Sequence, residues 1–153
     1  MAYNSLMNLI EYKKANLKYE ILEEFEAGLE LHGYEVKSLR NKQGSLDGSH
    51  ITVRGNEAFI VGSFIPPYQV ANTPKEYDPY RLRRLLLNKK EIAELAGKEK
   101  EKGLTIVPIS LYNKGRVIKA RIAVVRGKKK HDKRETIKKR DTDRDIRRSL
   151  KIR

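Results

Sequence analysis

Val117-Ile118-Lys119-Ala120-Arg121-Ile122-Ala123-Val124-Val125 runs almost directly into Gly127-Lys128-Lys129-Lys130-His131-Asp132-Lys133-Arg134-Glu135. The two stretches obey different rules. In the first, Ile118, Ala120, Ile122 and Val124 recur at period two while Lys119 and Arg121 project from the other side, the pattern of a half-buried strand. The second is nearly all charge and has little to bury. From Arg126 to Arg153 there are fourteen Lys or Arg against five Asp or Glu. The preceding residues hold twenty basic and fifteen acidic side chains, so the last fifth of the chain carries most of the +14 formal charge. That asymmetry predicts a polyanionic partner. It also divides the chain into a folding body, residues 1–126, and a basic tail, residues 127–153.

Upstream of the strand, the body reads as more of the same. Leu104 to Tyr112 forms a second strand, joined to the first through Asn113-Lys114-Gly115. Lys89 to Lys102 is helical, with Ile92, Leu95 and Ala96 as its apolar stripe and Gly103 as its stop. Asp78-Pro79 carries the signature of a helix start, predicting a helix through Leu82, Leu85 and Leu86 with Arg81, Arg83 and Arg84 interleaved. Ile51 and Val53, then Gly55-Asn56, then Ala58 to Ile65 predict a hairpin ended by Pro66-Pro67. Leu31 to Arg40 reads as a short helix. Leu17, Tyr19, Ile21, Phe25 and Ala27 alternate with Lys18, Glu20, Glu24 and Glu26 as another strand, and Gly28 ends or bends it. Met1 to Tyr12 fits a short helix or a loose arm.

At least five mostly antiparallel strands with two or three helices must cover one apolar face or close upon it. A small barrel with flanking helices and an open sheet with helices on one face both do so, and the barrel is favoured. The class is therefore mainly β with flanking helices.

Composition excludes a good deal. Without cysteine there is no disulfide, thiolate nucleophile or cysteine-based zinc site. His32, His50 and His131 lie far apart, no phosphate-binding glycine loop is present, and Asp47, Asp78 and Asp132 show no metal-ligand pairing. The expectation is a non-enzyme without metal or cofactor. No apolar stretch approaches the ~20 residues that span a bilayer, and no signal-peptide pattern opens the chain, so a cytoplasmic protein without membrane contact is expected.

Several side chains fit an RNA partner. Lys119 and Arg121 could meet phosphate from an outer sheet surface, and Glu26 could accept from a guanine edge, although each also fits an ordinary exposed strand. Arg81, Arg83 and Arg84 are either a solvated helix face or phosphate contacts. Tyr68, Tyr77, Tyr80 and Tyr112 could stack on bases, but packing accounts better for most of them. In the tail, Glu135–Lys139 and Asp143–Arg147 place opposite charges one helical turn apart, and Ile146 and Leu150 share a face. Such a helix is marginal alone in water, which predicts a tail that orders against a phosphate surface.

Four blocks in order carry a specific resemblance. They are Phe25-Glu26-Ala27-Gly28-Leu29; Glu35-Val36-Lys37-Ser38-Leu39-Arg40; Asp78-Pro79 through Leu85-Leu86-Leu87-Asn88; and Gly127-Lys128-Lys129 with His131-Asp132-Lys133-Arg134. With Ser110-Leu111-Tyr112 between the last two, the set resembles the SsrA-binding protein (small protein B) family over about residues 12 to 140. The resemblance implies an oligonucleotide-binding-like, closed antiparallel β-barrel with flanking helices and a basic C-terminal tail. It implies binding to the elbow of the tRNA-like domain of transfer-messenger RNA, and delivery of that RNA, with elongation factor Tu and GTP, to stalled ribosomes for trans-translation.

By position, the resemblance assigns RNA contacts to Glu26, Leu86, Asn88 and Lys119, and extends them to Lys13, Lys14 and Tyr19. It sends the tail, as a helix, into the decoding centre and mRNA path of the small ribosomal subunit, with His131 at decoding-centre RNA and Lys129, Lys133, Arg134, Lys138 and Lys139 on phosphates. The chain departs from the family pattern before the first of these strands, where Tyr12 stands for an Asn and Leu17 for a His. The partners implied are transfer-messenger RNA and the ribosome, met by a monomer. The rival reading is a structural ribosomal protein with an rRNA-penetrating extension.

Overall fold

The computed structural model describes residues 8–128. Seven strands form one antiparallel sheet in the order β1-β6-β7-β2-β5-β4-β3. They are β1 (Asn8–Glu11), β2 (Tyr19–Leu29), β3 (His50–Arg54), β4 (Glu57–Val61), β5 (Arg83–Leu86), β6 (Leu104–Lys114) and β7 (Val117–Gly127). Three α-helices accompany them, α1 (Ala15–Lys18), α2 (Gly33–Arg40) and α3 (Lys89–Lys100), with a short 3-10 helix at Val70–Asn72.

The backbone of the fold is the β6–β7–β2 ribbon. Its long strands follow from the alternation in the sequence, and Gly115 takes the left-handed conformation (φ +63°) at the turn where Lys114 pairs with Val117. Ile118, Ala120, Ile122 and Val124 are buried, as the alternation predicts. Ala123 and Val125 are buried as well, so this end of β7 is covered on both faces. Ile51, Ile60, Leu85, Ile106 and Leu111 join the same core, and Leu39 of α2 and Leu95 of α3 are fully buried with them.

The sheet curls so that β3 packs beside β6, and α3 packs against both. Among the described residues the hydrogen-bonded ladder does not close there, because the strand order ends at β1 and β3. The expected class, mainly β with flanking helices, is present, and its ladder among the described residues is a curled, open antiparallel sheet that leaves the closed barrel unconfirmed.

Two expectations are corrected. Asp78-Pro79 opens a turn rather than a helix. The Asp78 carboxylate accepts from the Tyr80 amide at 2.9 Å, and the Asp78 carbonyl accepts from the Arg81 amide at 3.0 Å. The chain then enters β5, where Arg83 and Leu85 are buried and Arg84 and Leu86 exposed. Period two prevails over the i, i+3, i+4 reading of the leucines because β5 is needed between β2 and β4. The residues before Tyr12 include neither a helix nor a loose arm within the described part. Asn8–Glu11 is a strand paired with β6.

The Arg81, Arg83 and Arg84 set is likewise not one solvated helix face. Arg83 is completely buried and donates to Glu35 (2.8 Å), the Ser63 carbonyl (2.9 Å), the Tyr77 hydroxyl (2.8 Å) and the Pro79 carbonyl (2.8 Å). Arg81 also donates to Glu35, at 3.0 Å through Nε. Burial pushes the Glu35 carboxyl up, but the Arg81 hydrogen bonds, the His32 amide and Arg83 outweigh it and bring it down to about 2. This cluster ties α2 to the long loop before β5 and so fixes where β5 begins. Among the described residues, no helix is long and apolar enough to cross a membrane.

Candidate nucleic-acid interface

Residues directly opposite one another in antiparallel strands share a face of the sheet. Leu86 of β5 is opposite Gly28 of β2, Gly28 is opposite Lys119 of β7, and Lys119 is opposite Tyr112 of β6. The row ends at Asn8 of β1. Two residues along β2, on the same face, stands Glu26, opposite Arg121. The sheet register thereby gathers Glu26, Leu86 and Lys119, which sit far apart in the sequence, onto one surface.

Gly28 makes the row flat. It is buried beneath Leu86, whose side chain nonetheless stays 49% exposed to solvent. A large apolar side chain held open to water beside cations is the combination that can meet a nucleobase face and its backbone together. Lys119 is half-buried.

Glu26 is held from two sides. Its carboxylate accepts from the Tyr112 hydroxyl and from Lys114 Nζ at 2.8 Å. Those two hydrogen bonds, Lys114 first, keep the carboxyl below its ordinary range. Burial, then the bond to Glu26, pushes the Tyr112 hydroxyl up, so it remains a donor at neutral pH. The Arg121 guanidinium stacks 5.5 Å above the Tyr112 ring. Lys114–Glu26–Tyr112–Arg121 is therefore one fixed chain of contacts across β2, β6 and β7.

The remaining residues assigned by sequence occupy different places. Lys13 and Lys14 are exposed in the turn between β1 and α1. Lys13 lines a cleft with Arg121, which joins it to the same face. Asn88 is the N-cap of α3: its side chain accepts from the Glu91 amide at 2.8 Å, and Glu91 accepts in return from the Asn88 amide. It follows Leu86 closely in the chain, but its carbonyl oxygen has a structural duty.

Tyr19 is not part of the cluster. It lies opposite Gly127 and packs edge-on against Tyr12, with 6.5 Å between ring centroids. The Lys128 amide donates to the Lys18 carbonyl at 2.8 Å, so Tyr19 marks the root of the tail. Lys119 and Gly127 are eight residues apart on β7, roughly 26 Å at ~3.3 Å per residue. The row and the tail root thus lie toward opposite ends of one ribbon. Lys129, His131, Lys133, Arg134, Lys138 and Lys139, and residues 1–7, lie outside the described residues.

Sequence reasoning missed Lys114 and the use of Gly28. A glycine inside a strand pattern often marks close approach by a neighbour, which was the available signal for the second. Nothing in the sequence distinguishes Lys114 from other surface lysines. Among the described residues, no three His, Asp or Glu side chains converge as a metal site.

Comparison with known proteins gives a consistent result. The SsrA-binding protein of Oleidesulfovibrio alaskensis is 50% identical over 142 residues, which cover 93% of this chain and 91% of that protein. The SsrA-binding protein of Mesoplasma florum is 51% identical over 132 residues, 86% of this chain and 89% of its own length. A solved structure described as "tmRNA-SmpB: a journey to the center of the bacterial ribosome" superposes with a TM-score of 0.67 at 37% identity, covering 87% of this chain and 94% of that one. The family model described as SmpB protein matches residues 9–152. By these matches and by its curled antiparallel sheet, the chain belongs to the SmpB family.

Proposed function

We propose that this protein binds the tRNA-like domain of transfer-messenger RNA and helps bring it to stalled ribosomes for trans-translation. The observation that carries the reading is the Leu86–Gly28–Lys119 row with Glu26 beside it, an exposed apolar platform flanked by a cation and a fixed carboxylate acceptor. Named relatives are SsrA-binding proteins, and the similar solved structure pairs SmpB with tmRNA and the ribosome, which supports the same partner. In this reading the curled sheet works as an oligonucleotide-binding-like barrel. Leu86 packs on a base, Glu26 accepts from a base edge, and Lys119, Lys13 and Lys14 neutralise phosphates, with Asn88 and Tyr19 at the margins.

The tail, residues 127–153, is the second contact. Lys129, His131, Lys133, Arg134, Lys138 and Lys139 enter the decoding centre and mRNA path of the small subunit while elongation factor Tu with GTP accompanies the RNA. The protein acts as a cytoplasmic monomer and scaffold; the RNA and the ribosome carry the chemistry. The test is an electrophoretic binding series with the full chain against transfer-messenger RNA, ordinary tRNA and a scrambled RNA at two salt concentrations. The reading requires tightest binding to transfer-messenger RNA at both salts. Equal affinity for all three would refute it.

A further inference from the structure

One edge inside the strand order lies open. β2 pairs with β7 from Tyr19 to Gly28, but with β5 only at Gly28 and Leu29. From Tyr19 to Ala27 its other edge therefore meets no strand among the described residues. Such an edge presents unpaired backbone amides and carbonyls and can receive another chain.

The side chains along it carry one sign. Tyr19 to Glu26 holds four glutamates and no lysine or arginine. Glu26 is taken by Lys114 and Tyr112. Glu20, Glu23 and Glu24 are exposed and form no ion pair among the described residues, although Arg126 stands opposite Glu20 in the ladder. Between them Leu22, at an irregularity in the register, is 42% exposed. Charge of either sign on an open edge discourages pairing with other sheets. Uniform acid in a chain of net charge +14 is more selective: it repels the same edge of a second copy, repels RNA phosphate, and suits a basic polypeptide.

A basic polypeptide is rooted beside it. The Lys128 amide donates to the Lys18 carbonyl, so the chain leaves the sheet at the start of β2. The 25 residues beyond, 129–153, hold twelve Lys or Arg against five Asp or Glu. Glu20 to Glu24 spans roughly 13 Å at ~3.3 Å per residue. The first dozen tail residues can reach about 40 Å. Tethering raises their effective concentration at the edge to the order of millimolar, enough for a weak contact to be populated.

We infer that, in the free protein, the basic tail lies along the open edge of β2, residues 129–140 placing their cations against Glu20, Glu23 and Glu24. Any phosphate surface that the tail meets must displace these carboxylates first. The contact forms in the absence of RNA, so it goes beyond the function proposed above, and either can fail alone.

The chain has no cysteine, so a single one can carry a spin label. The test attaches a nitroxide to Thr142→Cys in the full chain and reads the broadening of backbone amide signals without RNA. Glu20 and Leu104 both stand opposite Arg126, one on each side, so a tail with no preference would broaden the two strands equally. At low salt the amides of Glu20 to Glu24 should lose most of their intensity while those of Leu104 to Ile106 keep most of theirs. The difference should vanish when Glu20→Gln, Glu23→Gln and Glu24→Gln are combined, and at ~1 M salt, where the Debye length is about 3 Å. All three side chains are exposed, so the combined variant keeps the fold.

Equal broadening of the two strands, or a difference that survives the triple substitution or high salt, would overturn the inference. So would a difference that appears when spin-labelled chains are mixed with isotope-labelled chains carrying no spin label, since that places the tail on a second copy. None of these outcomes bears on the preference for transfer-messenger RNA, which the binding series decides separately.

Discussion

Leu86 lies directly over Gly28: a Cβ built on the glycine would come within 3.0 Å of the Leu86 Cβ. The glycine is what lets an exposed leucine lie flat against the sheet beside Lys119. Gly28→Ala should therefore displace Leu86 and lower RNA affinity at least about fivefold, the equivalent of ~1 kcal/mol. Leu86→Ala should do the same while changing stability by about 1 kcal/mol or less, since the side chain is half exposed. Paired RNA titration and chemical denaturation of the two variants check this.

Tyr112 sets the ionisation of Glu26 jointly with Lys114. Removing the hydroxyl in Tyr112→Phe should raise the Glu26 carboxyl toward its ordinary value, with Lys114 still holding it somewhat below. Because the folded pKa is depressed, the stabilisation from these contacts is present above the ordinary carboxylate range and is lost as pH falls through the folded value. In Tyr112→Phe that loss should be smaller and should be complete at a higher pH, while its onset, set by the unfolded carboxyl, stays the same. A carboxyl-carbon NMR titration of Glu26 in both proteins reads the shift.

Glu35 is the counterion of a fully buried Arg83. Glu35→Ala should cost about 3–5 kcal/mol, since it strands the guanidinium in the core. Its contribution is complete above pH 4.5, the ordinary value, and falls away toward pH 2, about where the folded carboxyl titrates. Denaturation midpoints across that acid range should therefore be flatter in a Glu35→Ala, Arg83→Met double variant than in the unaltered protein.

Asn88 separates capping from contact. Asn88→Ala should lower stability by about 1 kcal/mol through the lost cap, while Asn88→Asp keeps it. If Asn88 also meets RNA, Asn88→Asp should weaken binding despite its intact fold, because it places a carboxylate against phosphate. Thermal melts beside RNA titrations resolve the two roles.

Val117–Val125 was legible because its first half alternates cleanly, Leu104–Tyr112 because it is a short, β-branched-rich apolar run bounded by Gly103 and Asn113-Lys114-Gly115, and the hairpin turn at Gly55-Asn56 names itself. Asp78-Pro79 misled because an acid before proline opens turns as readily as helices, and three leucines at 82, 85 and 86 fit a helical stripe. What decided the matter was a pairing with residues more than fifty positions away, which local pattern does not encode. The same holds for Glu35 and Arg83: a lone acid in a helix and an arginine in a basic run look solvated until the fold buries them together. Ladder closure was illegible for a related reason, since it depends on how far the sheet curls between β3 and β6. Of the site, Leu86 came from resemblance alone, Glu26 and Lys119 from the strand pattern and the resemblance together, and only the register brought the three to one face.

In the proposed function two ends of one β-ribbon address two parts of one assembly, the row at Lys119 gripping RNA and the chain beyond Lys128 reaching the ribosome. The most direct measurement is a variant with Lys133, Arg134, Lys138 and Lys139 all neutralised, assayed for affinity to free transfer-messenger RNA and for peptide tagging on stalled ribosomes. Tagging should collapse while RNA affinity stays near that of the unaltered protein. Equal loss of both activities, or tagging left intact, would contradict it.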